Sequence, residues 1–218
     1  MQNTLVFDCS GKDIFVSYKN RENKLFNVVE KDASGTEFLM KSIDKCLKKA
    51  KAKLDDVDCI GICVGPGSWT GSRVAVATLN GLVSGMSTNP EIFTFDTFEI
   101  FAYNEERAEG RGRNVFFVLP AYGQNVYVRQ VNSADGVQVE PFMNINKLIE
   151  LVKANSAVCY ALENIFDGVV IVRQDYGSIV DKKVVEKQFV SIDEVEPLYI
   201  RPSQAEIQLS ERLKNLRK

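Results

Sequence analysis

The stretch VGPGSWTGSRVAVATLNGLVSG, from Val64 to Gly85, begins as a turn rich in glycine and proline and continues as a helix rich in small residues. A glycine-rich turn before a helix is one way in which proteins bind phosphate groups. A P-loop, however, needs Lys and then Ser or Thr after its last glycine, whereas Ser72 and Arg73 follow here. A dinucleotide-binding G-x-G-x-x-G motif does not match either, because the third glycine is one residue too far along. The pattern therefore predicts a structural loop, defined by Gly65, Pro66, Gly67 and Gly71.

Small residues line one side of the helix that follows this loop. Gly71 and Ala75 are one turn apart, and Ala77, Gly81 and Gly85 have the spacing i, i+4 and i+8. A glycine inside a helix costs about 1 kcal/mol relative to alanine, so the repetition indicates that another backbone approaches closely. Two alternatives stay open from the spacing alone: a contact within this chain, or a docking face for a partner protein.

The segments around this helix alternate between strands and helices. Runs of β-branched and aromatic residues separated by polar turns predict strands, and apolar residues at helical spacing predict helices. Ser34 and Glu37 have the spacing of a capping box at the start of the first helix. The first half is predicted to have strands at 3–10, 13–20 and 24–31, a helix at 34–54, a strand at 58–65, the helix at 68–85, a strand at 91–95 and a helix at 96–108.

The second half repeats the order of the first. Residues 164–196 have a weaker pattern, with one strand at 168–174, and a helix with a Ser203–Glu206 capping box is predicted at 203–218. The β-β-β-α-β order is that of the duplicated ribonuclease-H-like units of actin-like proteins, so the predicted class is α/β in two actin-like halves, residues 1–108 and 109–218. The remaining predicted elements of the second half are strands at 115–120, 125–132 and 137–140, a helix at 144–155 and a strand at 157–162.

Composition excludes several classes of function. The chain has 218 residues, and 27 Lys and Arg against 29 Asp and Glu give a net charge of −2, so the overall charge does not demand a polyanionic partner. It has no histidine, which excludes Ser-His-Asp triads, Cys-His dyads and histidine-ligated metals. No apolar run is long enough to span a bilayer and the first residues are not those of a secretory signal, so a cytoplasmic location is expected.

Cysteines and lysines form two further patterns. The cysteines, which make no CxxC pair, are interpreted as small buried side chains; they are Cys9, Cys46, Cys59, Cys63 and Cys159. The helix at 34–54 has six lysines from residue 41 onward, which could lie near RNA phosphates. A solvated face is the favoured interpretation, because Asp55, Asp56 and Asp58 follow directly and offset the charge.

The segment GPGSWTGSRVAVATLNGL resembles the signature GPGSFTGxRxGxxxxxGL of the TsaB (YeaZ) family, with Trp69 in place of Phe and Ala75 where Gly is frequent. Three other segments are similar to that family: the opening TLVFDCSGKDIFVSY, the hairpin GQNVYVRQ and the late EPLYIRPSQAEI. The similarity covers nearly the whole chain, although residues 130–190 match in element order alone.

The resemblance implies an accessory subunit of a bacterial tRNA-modifying complex. Members of that family pair with the related catalytic protein TsaD, and TsaE joins the assembly. The complex places a threonylcarbamoyl group on the adenosine next to the anticodon of tRNAs that read codons beginning with A. The subunit itself is expected to be a non-catalytic scaffold and activator without a cofactor, and a homodimer of the isolated subunit stays open.

The acidic residues favour this non-catalytic interpretation. Actin-like nucleotide sites use two carboxylates, one after the first strand of each half, to organise magnesium. Asp8 occupies the first position, with Ser10 and Gly11 as further candidates for a nucleotide contact, whereas residues 119–121 at the second position are Leu, Pro and Ala. Asp8 is therefore interpreted as a turn residue, and no catalytic or metal-binding residue is predicted.

Two other functions stay open. An actin-like nucleotide-binding enzyme, such as a small kinase or ATPase, would bind ATP at Asp8 and the loop Gly65–Gly71, and the missing second carboxylate argues against it. A glycoprotease-like peptidase would need a metal or an activated nucleophile, and the absence of histidine argues against that function.

The resemblance also places the partner surface on the first two helices. The second of these is the small-residue helix, so the spacing of its glycines and the family resemblance indicate the same face. The predicted docking residues are Phe38, Ser42 and Cys46 on the first helix and Val74, Ala77, Thr78, Gly81 and Leu82 on the second.

Overall fold

Ten strands form two five-stranded sheets within the residues that the computed structural model describes, which are 2–101, 114–132, 139–172 and 174–201. The strands of the first sheet are β1 (Thr4–Asp8), β2 (Ile14–Lys19), β3 (Leu25–Glu30), β4 (Cys59–Cys63) and β5 (Glu91–Phe95). Those of the second are β6 (Val115–Pro120), β7 (Asn125–Asn132), β8 (Phe142–Asn144), β9 (Val158–Ala161) and β10 (Val170–Ile171).

The two sheets have the same connectivity. The first has the order β3-β2-β1-β4-β5 and the second the order β8-β7-β6-β9-β10. In each, the first strand pairs antiparallel with the second and parallel with the fourth. This repetition confirms the α/β class and the duplicated actin-like plan. The boundary predicted at residues 108–109 lies outside the described residues.

Helices pack against both sheets. α1 (Gly35–Ala50) lies against β2 and β3, and α2 (Trp69–Gly85) lies against β4. In the second half, α3 (Ile145–Ala154) lies beside β8, and α4 (Tyr176–Val185) contacts the 3-10 turn Glu99–Phe101 of the first half. None of the helices in the described parts of the chain is both long and apolar enough to cross a membrane.

Three buried clusters hold these layers together. The first lies between α1, α2 and the first sheet, and the third lies between α3 and the second sheet. The second cluster joins the two halves, since it includes Phe93 of β5, Phe117 of β6 and Tyr176 of α4. Gly61 of β4 is needed here, because the ring of Phe93 occupies the space that a Cβ at this position would take.

Most of the first-half elements agree with the sequence pattern, but the first helix differs in two details. The strand at 91–95 has its predicted bounds, as do those at 115–120 and 125–132 in the second half. The capping box at Ser34 is wrong: its hydroxyl lies 2.7 Å from Thr36 Oγ1 and makes no capping bond. α1 also ends four residues early, because Lys51 takes a left-handed conformation and its amide closes the last turn.

The second half differs more. A strand lies at Phe142–Asn144, where Met143, which is 4% exposed, packs near α3. Of the strand predicted at 137–140, residues 139 and 140 are not in a strand, and the other two lie outside the described residues. Helix α4 has no counterpart among the predicted elements. Of the predicted helix at 96–108, the described part forms the 3-10 turn at Glu99–Phe101. The rest of that helix and the one predicted at 203–218 lie outside the described residues.

Candidate functional site

The loop between β4 and α2 is anchored to the residues that follow β1. Ser68 N donates to the carbonyl oxygen of Ser10 at 2.6 Å, and Ser68 Oγ caps α2 by accepting from Gly71 N at 3.1 Å. A Cβ at Gly67 would overlap the carbonyl of Ser10, and a Cβ at Gly71 would overlap that of Cys9. These two glycines therefore allow two backbone segments of the same chain to touch.

A cluster of buried polar side chains is hydrogen-bonded to the loop. Thr97 donates its hydroxyl to Pro66 O and its amide to Gly65 O, each at 2.8 Å. Its Oγ1 also lies 3.2 Å from Ser10 Oγ and 3.4 Å from Cys63 Sγ. Burial raises the pKa of the Cys63 thiol well above its usual value, so this side chain stays protonated. Gly65 has a φ of +102°, a conformation that favours glycine.

These contacts use several of the backbone amides that a phosphate group would need. Phosphate-binding loops direct free backbone N–H groups at a helix N-terminus towards the anion. Here the amide of Ser68 is bonded to Ser10 O, that of Gly71 to Ser68 Oγ and that of Ser72 to Ser68 O. Three amides of this turn are thus bonded within the chain.

Next to this loop, the end of β1 meets helix α4 of the second half at what we call the Asp8–Tyr176 junction. Asp8 is 4% exposed; its Oδ1 accepts from Ser10 N at 2.7 Å, and its Oδ2 accepts from the Tyr176 hydroxyl at 2.9 Å. The Tyr176 ring stacks on Phe15 with 3.7 Å between centroids, and it meets Phe95 edge-on at 6.1 Å. The contact with Ser10 is the turn predicted for Asp8, whereas that with Tyr176 was not predicted.

The junction changes what Asp8 can do. Each oxygen of the carboxylate accepts a hydrogen bond from the chain itself. Burial and the negative charge of Asp8 raise the pKa of Tyr176 well above 10, so the hydroxyl keeps its proton and continues to donate. In the second half, β6 ends with Leu119 and Pro120 where a second carboxylate would be needed. The described parts of the chain hold no cluster of three or more His, Cys, Asp or Glu that could bind a metal ion.

Two ion pairs also connect the two halves. Arg129 of β7 pairs with Asp96 at 2.6 Å, and Lys183 of α4 pairs with Glu99 at 2.8 Å. Both acids belong to the segment that follows β5, so each pair joins the second half to the first. The Lys183 side chain is 14% exposed, which limits the screening of its pair by water.

Sequence reasoning missed Tyr176 because the pattern of residues 164–196 is weak. One signal was available: Asp175 is an N-cap type of residue three positions before Ser178, and its side chain does accept from Ser178 N at 3.1 Å. That signal marks the start of α4, but it does not indicate which side chain reaches Asp8.

Three of the predicted docking residues are buried, which corrects their assignment to a docking surface. Ser42, Cys46 and Leu82 are 1%, 0% and 6% exposed. They lie on the inner sides of α1 and α2, and Cys46 Sγ donates to Phe26 O of β3 at 3.0 Å. Their side chains therefore belong to the core and form no surface. The other five, which are at least partly exposed, are Phe38, Val74, Ala77, Thr78 and Gly81.

Of these five, Phe38 lies apart from the rest. It precedes Lys45 by seven residues and Lys49 by eleven, and both lysines contact β3. Helical spacing therefore places Phe38 on the β3 side of α1. Val74, by contrast, faces α1 near Gly35, where a Cβ would lie 3.6 Å from Val74 Cγ1.

The outer surface of α2 is open at its two later glycines. A Cβ at Gly81 or at Gly85 would have no neighbour within 4 Å among the described residues. Unlike Gly71, these glycines are not explained by a contact with any described part of the chain. We call the exposed or partly exposed residues Val74, Ala77, Thr78 and Gly81 the α2 surface.

All five cysteines are buried and free. Burial raises the pKa of Cys9, Cys59 and Cys159 to about 12 and that of Cys46 to about 11. Thiols with such pKa values are poor nucleophiles at neutral pH, which confirms their interpretation as small buried side chains.

Comparisons with known proteins agree with this architecture. The model of a family described as TsaD, tRNA N6-adenosine threonylcarbamoyltransferase, matches residues 32–140, half of the chain. The tRNA threonylcarbamoyladenosine biosynthesis protein TsaB of Buchnera aphidicola subsp. Baizongia pistaciae (strain Bp) is 28% identical over 103 residues. That match covers 47% of this chain and 46% of the relative, so the chain matches about half the length of this curated protein.

Two solved structures from Pseudomonas aeruginosa share the fold. A protein with similarity to peptidase YeaZ superposes with a TM-score of 0.69 at 19% identity, covering 92% of this chain and 100% of the other. YeaZ itself superposes with a TM-score of 0.63 at 17% identity, covering 91% of this chain and 100% of the other. At these identities the likeness concerns the fold alone.

Proposed function

Since this chain belongs to the TsaD family, that of tRNA N6-adenosine threonylcarbamoyltransferase, as a TsaB (YeaZ) homologue, we propose that it is a non-catalytic scaffold and activator subunit. It pairs with a catalytic TsaD protein, is joined by TsaE, and acts in the cytoplasm. The complex threonylcarbamoylates the adenosine next to the anticodon in tRNAs that read codons beginning with A.

The Asp8–Tyr176 junction is the observation that carries this proposal. A nucleotide-dependent enzyme of the actin-like class would need Asp8 free to organise a metal-bound phosphate. Here a side chain of the second half is bonded to that carboxylate at 2.9 Å and stacks on Phe15 beside it. Binding of ATP would require the loss of a buried hydrogen bond and of a stacked aromatic pair. The chain is therefore suited to a structural role.

The α2 surface supports the choice of docking face. Gly81 and Gly85 are exposed at helical spacing, and no contact with the described residues explains them. Glycines in that arrangement let the backbone of a second helix approach closely. TsaD is the partner proposed for this surface, and a second copy of the chain would occupy it when TsaD is absent.

Co-expression with the TsaD protein of the same organism tests the proposal. Size-exclusion chromatography with in-line mass determination is expected to show a stable complex of the two chains. Gly81→Leu fills the α2 surface without an internal clash, so it is expected to abolish pairing while the subunit stays folded. Lys153→Leu, an exposed substitution on α3, is the matched control and is expected to leave the complex intact.

Two results would contradict this proposal. If no complex forms with the unaltered chain, the scaffold function is wrong, and ATP titration then tests an actin-like nucleotide-binding enzyme. If Gly81→Leu co-purifies with TsaD at the ratio of the unaltered chain, the partner binds elsewhere.

A further inference from the structure

A row of lysines lies along α1 and the edge strand β3. Lys41, Lys45, Lys48 and Lys49 have the spacing i, i+4, i+7 and i+8, which places them on one face of the helix. Lys49 Nζ donates to Asn27 O of β3 at 3.2 Å, so this face borders the strand. We call these four residues, together with Lys24 beside the start of β3, the lysine row. From Lys41 to Lys49 it extends about 12 Å along the helix axis.

The acids that offset these lysines in the sequence are engaged elsewhere in the fold. Asp55 accepts from Ser87 N at 2.9 Å, and Asp56 accepts from Lys53 N at 2.7 Å. Asp58 accepts from both Nε and Nη2 of Arg21, at 3.0 and 2.9 Å. Of the three acids, Asp58 is paired with a cation, and none of them forms an ion pair with a member of the lysine row.

Two members of the row form ion pairs, Lys45 with Glu30 at 2.8 Å and Lys48 with Asp44 at 2.6 Å. These pairs are exposed, so they contribute little to stability and open easily. Among the described residues, no carboxylate pairs with Lys24, Lys41 or Lys49.

The other contacts of these three lysines do not neutralise them. Lys24 and Lys41 lie over the rings of Phe26 and Phe38, at 5.2 and 4.9 Å from the centroids. A backbone carbonyl accepts from Lys49. These contacts orient the ammonium groups and leave their charge in place.

The charge of the whole chain hides this local excess. Residues 24–53 contain eight lysines and four carboxylates. The rest of the chain then has 19 Lys and Arg against 25 Asp and Glu, since the totals are 27 and 29. A chain that is acidic overall thus carries one basic face, and such charge asymmetry indicates a polyanionic partner for that face.

We propose that the lysine row binds the phosphate backbone of tRNA; this inference rests on the proposed function in tRNA modification. Lysine ammonium groups bind phosphates as point charges, and a nucleic-acid backbone carries one negative charge per nucleotide, so a row of about 12 Å can contact more than one phosphate. The cores of protein interfaces, in contrast, are depleted of lysine. The composition of the row therefore favours a nucleic acid over an acidic protein surface.

Fluorescence anisotropy with a labelled, unmodified tRNA transcript tests this inference on the full chain. The triple variant Lys24→Glu, Lys41→Glu, Lys49→Glu is expected to bind at least tenfold more weakly at 100 mM salt. Its slope of log affinity against log salt between 50 and 200 mM is expected to fall by about 2, because each lost phosphate contact lowers the slope by roughly 0.7–0.9.

The matched control reverses the charge of three exposed lysines of the second half by the substitutions Lys147→Glu, Lys153→Glu and Lys182→Glu. It is expected to bind tRNA like the unaltered chain. Thermal unfolding verifies that both triple variants are folded. The inference is overturned if the unaltered chain does not bind tRNA at 50 mM salt, if the first variant keeps its affinity, or if both variants weaken equally.

Pairing with TsaD, measured on the same variants, separates this inference from the proposed function. If the lysine variant loses tRNA affinity and still co-purifies with TsaD, the row binds RNA and is separate from the docking surface. If it keeps its tRNA affinity and loses TsaD, the row is a surface for an acidic protein and the RNA inference is wrong.

Discussion

Replacing Tyr176 by phenylalanine removes a single oxygen atom from the junction between the two halves. The hydroxyl donates to Asp8 Oδ2 at 2.9 Å, while the ring stacks on Phe15 and is retained in the variant. Tyr176 is 7% exposed and Asp8 is 4% exposed, so bulk water has little access to the vacated position. The variant therefore leaves one oxygen of a buried carboxylate without its donor.

The size of the effect follows from this geometry. The loss of a hydrogen bond to a charged group costs about 1.5–3 kcal/mol. In a chain of this length each kcal/mol lowers Tm by about 2–4 °C, so Tyr176→Phe is expected to lower Tm by about 3–12 °C. Because the ring stays in place, the fold should be kept.

Urea denaturation at pH 7 measures this loss directly. Tyr160→Phe is the matched control: Tyr160 belongs to the same buried cluster, its hydroxyl makes no hydrogen bond to a described residue, and we expect a change below about 0.5 kcal/mol. A double-mutant cycle with Asp8→Asn then isolates the coupling of the pair. If Tyr176→Phe unfolds within 0.5 kcal/mol of the unaltered chain, the hydrogen bond does not hold the halves together, and the argument from a blocked Asp8 fails.

Two further predictions concern the loop glycine and the buried thiols. Gly71→Ala places a Cβ against the carbonyl of Cys9, so we expect the free energy of unfolding measured in urea to fall by about 1–3 kcal/mol. In Gly81→Ala the new Cβ meets no described atom within 4 Å, so this variant should be neutral or stabilise by up to about 1 kcal/mol. Equal losses in the two variants would contradict the packing argument. Burial raises the pKa of Cys159 from 9.0 to about 12, so the unfolded chain releases this proton first and stability falls as pH rises through that window. Cys159→Ala should make the fall between pH 9 and 10.5 shallower by about 1 kcal/mol per pH unit on average. An unchanged slope in reducing urea titrations would show that this thiol does not contribute.

The sequence by itself was sufficient for several elements of both halves and for the family. β5, β6 and β7 have their predicted bounds, and α2 begins where Ser68 caps it. Strand alternation, helical periodicity and N-cap chemistry involve residues a few positions apart, so they can be identified from the order of residues. The same reasoning failed at Ser34, whose hydroxyl is hydrogen-bonded to that of Thr36 and not to a backbone amide of the first turn.

Only the tertiary structure decided what those elements do to one another. In the folded chain the carbonyl of Cys9 occupies the space of a Cβ at Gly71, whereas no described atom lies near a Cβ at Gly81, although both glycines are on one helix. The tertiary structure brought Tyr176 to Asp8 across 168 residues, and it paired Asp58 with Arg21 and not with one of the lysines that precede it. Local patterns specify which segments form helices and strands, whereas contacts between distant residues depend on how those segments pack, and the roles of these side chains follow from the packing.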